Sequence, residues 1–480
     1  MDNAKLLAYP TATLPVHKLP NELLICILTS VCALQPCTLD RKRGKPLYPI
    51  SLTHVCSRWR TLLIHLHQLW SHIDLTVRTD TFSDSREIAR AYLYMDRADQ
   101  TPLDVHMLEK DKVEKGMARS AEVINVLRLC LPRMRSLVYY NYQAYFYDKR
   151  ILYWCLKTAA PRKLKELTIP LQPGRGVSYL DGRKYAEYHQ SEALATRSTI
   201  HLDNLLHGIT TLRLANDFPV WTSRAYHGLV ELCLHIKQKK FHTIVSISHQ
   251  ELSDILACSP KLRILDLHLQ VRHSPSSDDN IKPIHLEDLQ VLRIGGLGKS
   301  GSNRLLGLFS PGSNPLSFSG FADAQSESGI LHDNFITAFF TRSNIKNMWL
   351  SRMAYPTILE FLSLAPHSRE LALSGFDFHH LSHEFDDIPH AGRIDTLYLL
   401  PSCKVDLGNL RYFALTYQIK RILVHEQCEI TLEGSLVPSL GGTLALEDAL
   451  RGICPSVKRF DSTKPYAWGF PTLYNMGYAI

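Results

Sequence analysis

Residues 258–267 read CSPKLRILDL, and the fold turns on whether Leu262, Leu265 and Leu267 belong to a helix or to a strand. Their spacing is apolar-x-x-apolar-x-apolar, and the last two stand two apart, the period of a strand with one covered face. The preceding residues, 250–258, keep helical spacing, and the turn containing Pro260 separates the two patterns. One unit is therefore a helix, a prolyl turn and a short strand.

The same form recurs in both directions. Leu164/Leu167/Ile169, Ile209/Leu212/Leu214 and Leu229/Leu232/Leu234 precede it; Leu289/Leu292/Ile294, Ile345/Met348/Leu350, Ile394/Leu397/Leu399 and Ile419/Ile422/Val424 follow. Helical patterns stand at 121–131, 146–159, 335–340, 357–364 and 447–453, and a helix followed by a short strand at Leu103–His106 opens the series. The third, fourth and fifth of these triplets are 33 and 27 residues apart and the last two 25, so the repeat is irregular. Each strand can cover its inward side chains only with the next unit and its own helix, which makes stacking obligatory. A doubly wound sheet would call for longer, near-continuous apolar strands. The expectation for residues 76–480 is an α/β solenoid of short parallel strands and helices, with inserted loops near 172–200 and 299–330.

The form C-x-P-x-L-x-x-L-x-L from Cys258 to Leu267, with weaker echoes at Cys130–Tyr139 and Cys454–Phe460, resembles leucine-rich repeats of the F-box-linked kind. Three residues past the last apolar position that family favours Asn or Cys, where this chain has Gln172, Asp217, Lys237 and Gln270.

Residues 15–75 have a different character. LPNELLICIL carries Pro20 where a first helical turn tolerates it and Glu22 beside the positive end of the helix dipole. Leu23, Leu24, Ile27, Leu28 and Val31 then make one apolar stripe. Leu52, Val55, Cys56, Trp59, Leu63 and Leu66 repeat the helical spacing after a connector near 36–49. So small a helical unit has more apolar surface than it can hide within itself. L-P-x-E-L-L-x-x-I-L (Leu19 to Leu28), V-C-x-x-W-R (Val55 to Arg60) and L-W-x-x-I (Leu69 to Ile73), in that order, resemble the F-box of ubiquitin-ligase adaptors, with a connector of the length common in fungal, basidiomycete-type members.

The resemblance implies a short all-helical F-box in which Leu19, Pro20, Leu23, Ile27 and Leu28, with Val55, Cys56, Trp59 and Leu63, engage a Skp1-type protein. Through it the chain would join a cullin–RING ligase as a non-catalytic, substrate-recognition adaptor, its repeats holding a client protein. Residues between the inward repeat positions, Arg213, Asp266, Arg293, Trp349 and Tyr398, are the candidate client contacts, since Arg and aromatics are the usual interface anchors. A repeat scaffold that binds Skp1 or another protein without ubiquitination is the alternative.

IGGLGKSG at 294–301 places Gly296, Gly298 and Gly301 on the G-x-G-x-x-G spacing of a phosphate loop. A dinucleotide loop opens a sustained helix, and here Ser302–Phe309 is about two turns before SPGSNP intervenes. The preferred reading is a turn leaving a strand, with a nucleotide-binding enzyme as the remaining alternative. His379, His380, His383 and Glu384 fit neither H-E-x-x-H nor its inverse, and no G-x-S-x-G occurs, so neither a cofactor, a catalytic group nor a metal is assigned.

The net charge of +8 is mild: eight Lys and Arg face four Asp and Glu in residues 1–75, with a basic cluster at Arg41, Lys42, Arg43 and Lys45. That is too thinly spread to call for nucleic acid, although the cluster could act as an import tag. Eleven cysteines without a C-x-x-C pair read as thiols in a reducing compartment. Residues 1–14 form a tail without secretory character, and no run nears the ~18 apolar residues of a membrane span. The expected location is the cytoplasm, the nucleus or both.

Overall fold

The unit containing CSPKLRILDL shows why the chain alternates as it does. Helix His249–Ala257 is opened by Ser248, whose hydroxyl accepts the Glu251 N–H at 3.2 Å while the Glu251 carboxylate accepts the Ser248 N–H at 2.8 Å. Ser259 then closes the turn, accepting the Leu229 N–H at 3.1 Å and donating to the Tyr226 carbonyl at 2.7 Å. The CSP turn is thus bonded to the preceding unit before the strand Ile264–His268 starts.

The structure is a computed structural model, which describes residues 15–33, 37, 48–77, 84–109, 121–141, 152, 155–156, 159, 163–170, 178–180, 202–236, 246–269, 271–272, 282–297, 300–322, 334–380, 392–432, 435–436, 450 and 452–460. It is mixed α/β and divides into two compact units, Met1–Gln143 with Thr158–Lys163, and Ala144–Lys157 with Leu164–Ile480. The first unit is therefore larger than the helical module, whose border the sequence placed at residue 75.

In the first unit, helices α1 (Asn21–Ala33) and α2 (Ser57–His65) precede β1 (His72–Val77), α3 (Asp84–Arg97), β2 (Leu103–Glu109), α4 (Ala121–Cys130) and β3 (Met134–Asn141). The three strands are parallel and in sequence order. Residues 72–75, expected as the end of an all-helical module, are strand instead. Ile73 and Leu75 alternate with polar His72, Asp74 and Thr76, and the two-residue period prevails over the helical one.

The second unit continues with β4 (Glu166–Ile169), β5 (Thr211–Ala215), β6 (Glu231–His235), α5 (His249–Ala257), β7 (Ile264–His268), β8 (Val291–Leu297), α6 (Ser300–Gly307) and β9 (Leu316–Ala322). Then come α7 (Asn334–Arg342), β10 (Ile345–Ser351), α8 (Tyr355–Leu364), β11 (Glu370–Ser374), β12 (Thr396–Leu399), α9 (Leu407–Thr416), β13 (Arg421–His425) and β14 (Ser456–Phe460). From β4 to β14 each strand pairs with the next in the chain, and every pair is parallel. Register aligns Leu232, Leu265 and Leu292 in one row and Leu234, Leu267 and Ile294 in the next, all buried. Short accessory pairs such as Ile284–Leu286 with Phe309–Pro311 flank the main sheet.

Two expectations need correction. The stretch 299–330 is not simply an inserted loop, because it contains α6 and the full strand β9, whose Leu316 and Phe318 are buried. Strand β11 was also not anticipated. Where the other repeats carry their first apolar residue, three positions before Leu371, this one has Ser368, which is buried and donates to the Lys346 carbonyl at 3.3 Å. The tail 1–14, the basic cluster 41–45, most of 172–200 and the helical patterns at 146–159 and 447–453 lie wholly or largely outside the described residues. No helix among the described residues is long and apolar enough to cross a membrane.

Candidate docking surface

Helix α1 has a wider apolar stripe than its own unit covers. Leu24 and Leu28, one turn apart, are buried and meet Leu63 of α2, with Val16, Leu52, Trp59, Leu62 and Leu69 packed around them. Leu23 and Ile27 sit one position earlier on the helical wheel and are 54% and 45% exposed. Val55, just before α2, is 58% exposed. Of the other residues expected to dock, Pro20 is exposed, Leu19, Cys56 and Trp59 are half-buried, and Leu28 and Leu63 belong to the core. Cys56 has a structural role as well: its sulfur accepts the Trp59 N–H at 3.5 Å and caps α2.

Two contacts fix this surface. The Arg58 guanidinium donates to the Leu19 carbonyl at 2.5 Å and to Asn21 Oδ1 at 2.7 and 3.0 Å, so the start of α2 holds the start of α1. Trp70, fully buried, donates its indole N–H to the Leu63 carbonyl at 2.8 Å and lies edge-on to Tyr94, with the Arg97 guanidinium 4.2 Å from its ring centre. The helices are in this way anchored on α3.

The candidate client contacts occupy the other face of the second unit's strands, and most are already engaged. Arg213 makes a bidentate pair with Glu231 at 2.5 and 2.6 Å. Asp266, 0% exposed, meets Arg293 on the neighbouring strand at 2.9 Å, with His235 Nε2 at 3.0 Å and His268 Nε2 at 3.2 Å. Burial by itself would push the Asp266 carboxyl up, but His235 and Arg293 and the hydrogen bonds of His235 and His268 hold it well below the usual carboxylate range. Trp349 is buried with Val291, Ala372 and Leu400, and half-buried Tyr398 and Phe321 pack against that cluster. Asp266, Arg293 and Trp349 are thus enclosed rather than presented, which corrects the expectation that alternate positions face an open surface. Glu231, His235 and His268, which complete these pairs, follow the same alternation in register and were discoverable only once neighbouring strands were aligned.

The glycine cluster also has a packing explanation. A Cβ on Gly295 would stand 2.5 Å from His268 Nδ1, and Gly296 has φ +72° at the bulge in β8. Gly298 lies outside the described residues, and α6, which contains Gly301, ends at Gly307. Of the histidine group, His383 and Glu384 lie outside them too, while His379 contacts Asp377 at 2.8 Å and Thr431 at 2.7 Å. Compared with known protein families, the chain matches no family model, and it matches no curated protein sequence either.

Proposed function

We propose that the chain is the substrate-recognition adaptor of an SCF-type ubiquitin ligase: its amino-terminal helices act as an F-box docking on a Skp1-type protein, and its strand array is a leucine-rich-repeat-like solenoid that holds the client. The observation that carries this reading is the exposure of Leu23 and Ile27 beside a helix core that the chain has otherwise closed. Large apolar side chains one turn apart on a fixed helix suit a partner's groove. The strictly sequential, parallel order from β4 to β14 supports the solenoid part, since it is the order that stacked repeats produce. The adaptor does no bond chemistry; it raises the effective concentration of a client lysine near the ubiquitin carrier. Client contacts then come from residues other than the enclosed Asp266, Arg293 and Trp349.

Co-expression with a Skp1-type protein and a cullin tests this. The wild-type chain should retain both on purification, and Leu23→Asp should weaken Skp1 binding by about 30-fold or more, a loss of ~2 kcal/mol. Because Leu23 is exposed, its melting temperature should stay unchanged, whereas Trp59→Ala should lose both binding and helix packing. Wild-type and Leu23→Asp chains that ignore Skp1 equally would overturn the proposal.

A further inference from the structure

Four side chains capable of binding a metal converge in the first unit. His72 and Asp74 are two residues apart on β1 and therefore share a face, the one opposite buried Ile73 and Leu75. Register places His106 of β2 directly across from Asp74. Cys37, four positions beyond the end of α1, meets them from the connector, although it is 37 residues from Asp74 and 69 from His106 in the chain. The resulting distances are 2.9 Å from His72 Nε2 to Asp74 Oδ1, 3.3 Å from Cys37 Sγ to Asp74 Oδ1, 3.3 Å from His106 Nδ1 to Cys37 Sγ, and 3.9 Å from His106 Nδ1 to Asp74 Oδ1. One donor atom from each residue lies within 4.8 Å of all the others.

We infer that Cys37, His72, Asp74 and His106 form a zinc site that fastens the connector to the first two strands. Zinc takes four ligands in a tetrahedron, with bonds of ~2.0–2.3 Å that put neighbouring donors roughly 3.3–3.8 Å apart, and the four separations above, from 2.9 to 3.9 Å, bracket that range. One thiolate and one carboxylate balance the dication, and the two imidazoles bind as neutral donors. The sulfur and nitrogen donors favour zinc over calcium or magnesium, which take oxygen. Among the described residues a second group, His235, Asp266 and His268, offers three donors, but Arg293 already supplies the positive charge at Asp266. The role of the zinc would be structural, tying Cys37 to the first two strands.

The test counts metal. Full-length protein stripped with a chelator should take up a single tight equivalent of zinc, with release of the Cys37 thiol proton. Cobalt(II) in its place should give the intense visible bands of a four-coordinate centre and a sulfur-to-cobalt charge-transfer band. Cys37→Ser should abolish that charge-transfer band, and His106→Gln should weaken zinc binding by at least about a hundredfold, at the upper end of what loss of a mere supporting residue costs. His235→Ala should leave both unchanged. Should a variant fail to fold, the spectrum of the wild-type protein with cobalt decides alone. Absence of tight binding, absence of the sulfur band, or binding indifferent to Cys37→Ser would overturn the site.

Discussion

Asp266 shows how much of a residue's meaning lies in its neighbours. The sequence places it off the inward row, and so does the structure, yet it is sealed between Arg293, His235 and His268. Alternation in one strand tells which face a side chain takes; it does not tell what lies over that face. Charged and aromatic residues were therefore legible as a set, and their enclosure was not. A pH dependence follows. Burial holds the His268 imidazole below its usual value, against the raising effect of Asp266. The unfolded chain then takes up a proton near pH ~6.5 that the folded chain refuses, so stability falls as the pH drops through that value. The depressed Asp266 carboxyl acts in the same direction at lower pH, contributing stability above ~3.9 that is lost as pH falls through its folded value. Melting temperatures measured between about pH 7.5 and 5.5 should decline in the wild-type protein, and His268→Gln should flatten that decline.

At the scale of an element, strand β8 joins sequence to packing most directly. Gly295 leaves room for the His268 ring, which in turn lies 4.9 Å from Phe321 and 4.7 Å from His235 between ring centres. Gly295→Ala should cost ~1–3 kcal/mol in chemical denaturation, because the His268 ring is packed between two other rings and must be displaced to admit the methyl group. Adding His268→Ala should remove most of that penalty, and equal costs in the two backgrounds would contradict the account. The elements that the sequence revealed are those with a large aliphatic residue or Met at all three repeat positions, such as β7, β8 and β10. Strand β9 stayed hidden because serine and glycine separate Leu316, Phe318 and Phe321, and β11 because a buried serine takes the first position. In both, a hydrogen bond or an aromatic ring does the work that a leucine does elsewhere. The cluster around Cys37 was illegible for a different reason: its four members come from three separate segments, and only the parallel register of β1 and β2 sets His106 against Asp74.

Within the second unit, sequence order and spatial order coincide, so damage should spread according to position along the array. Leu265→Asp puts an unpaired charge in a fully buried row between two neighbours and should cost more than ~4 kcal/mol. Val457→Asp, on the last strand of the ladder among the described residues, should loosen only the region around β13 and β14. Hydrogen exchange read strand by strand distinguishes these outcomes; uniform loss of protection in both variants would mean that the unit melts as one block. The sequential order itself was readable from the recurring triplet, whereas the extent of the first unit was not, because β1 to β3 join the helices through Trp70 and α3 rather than through any motif.

Arg58 has a kinetic implication. By tying the first residues of α1 to α2 it sets the outline of the apolar face in advance of any encounter. If a partner docks on Leu23 and Ile27 as proposed, it waits on no refolding step, so its arrival rate would follow diffusion and orientation, and tightness would reside in how slowly it leaves.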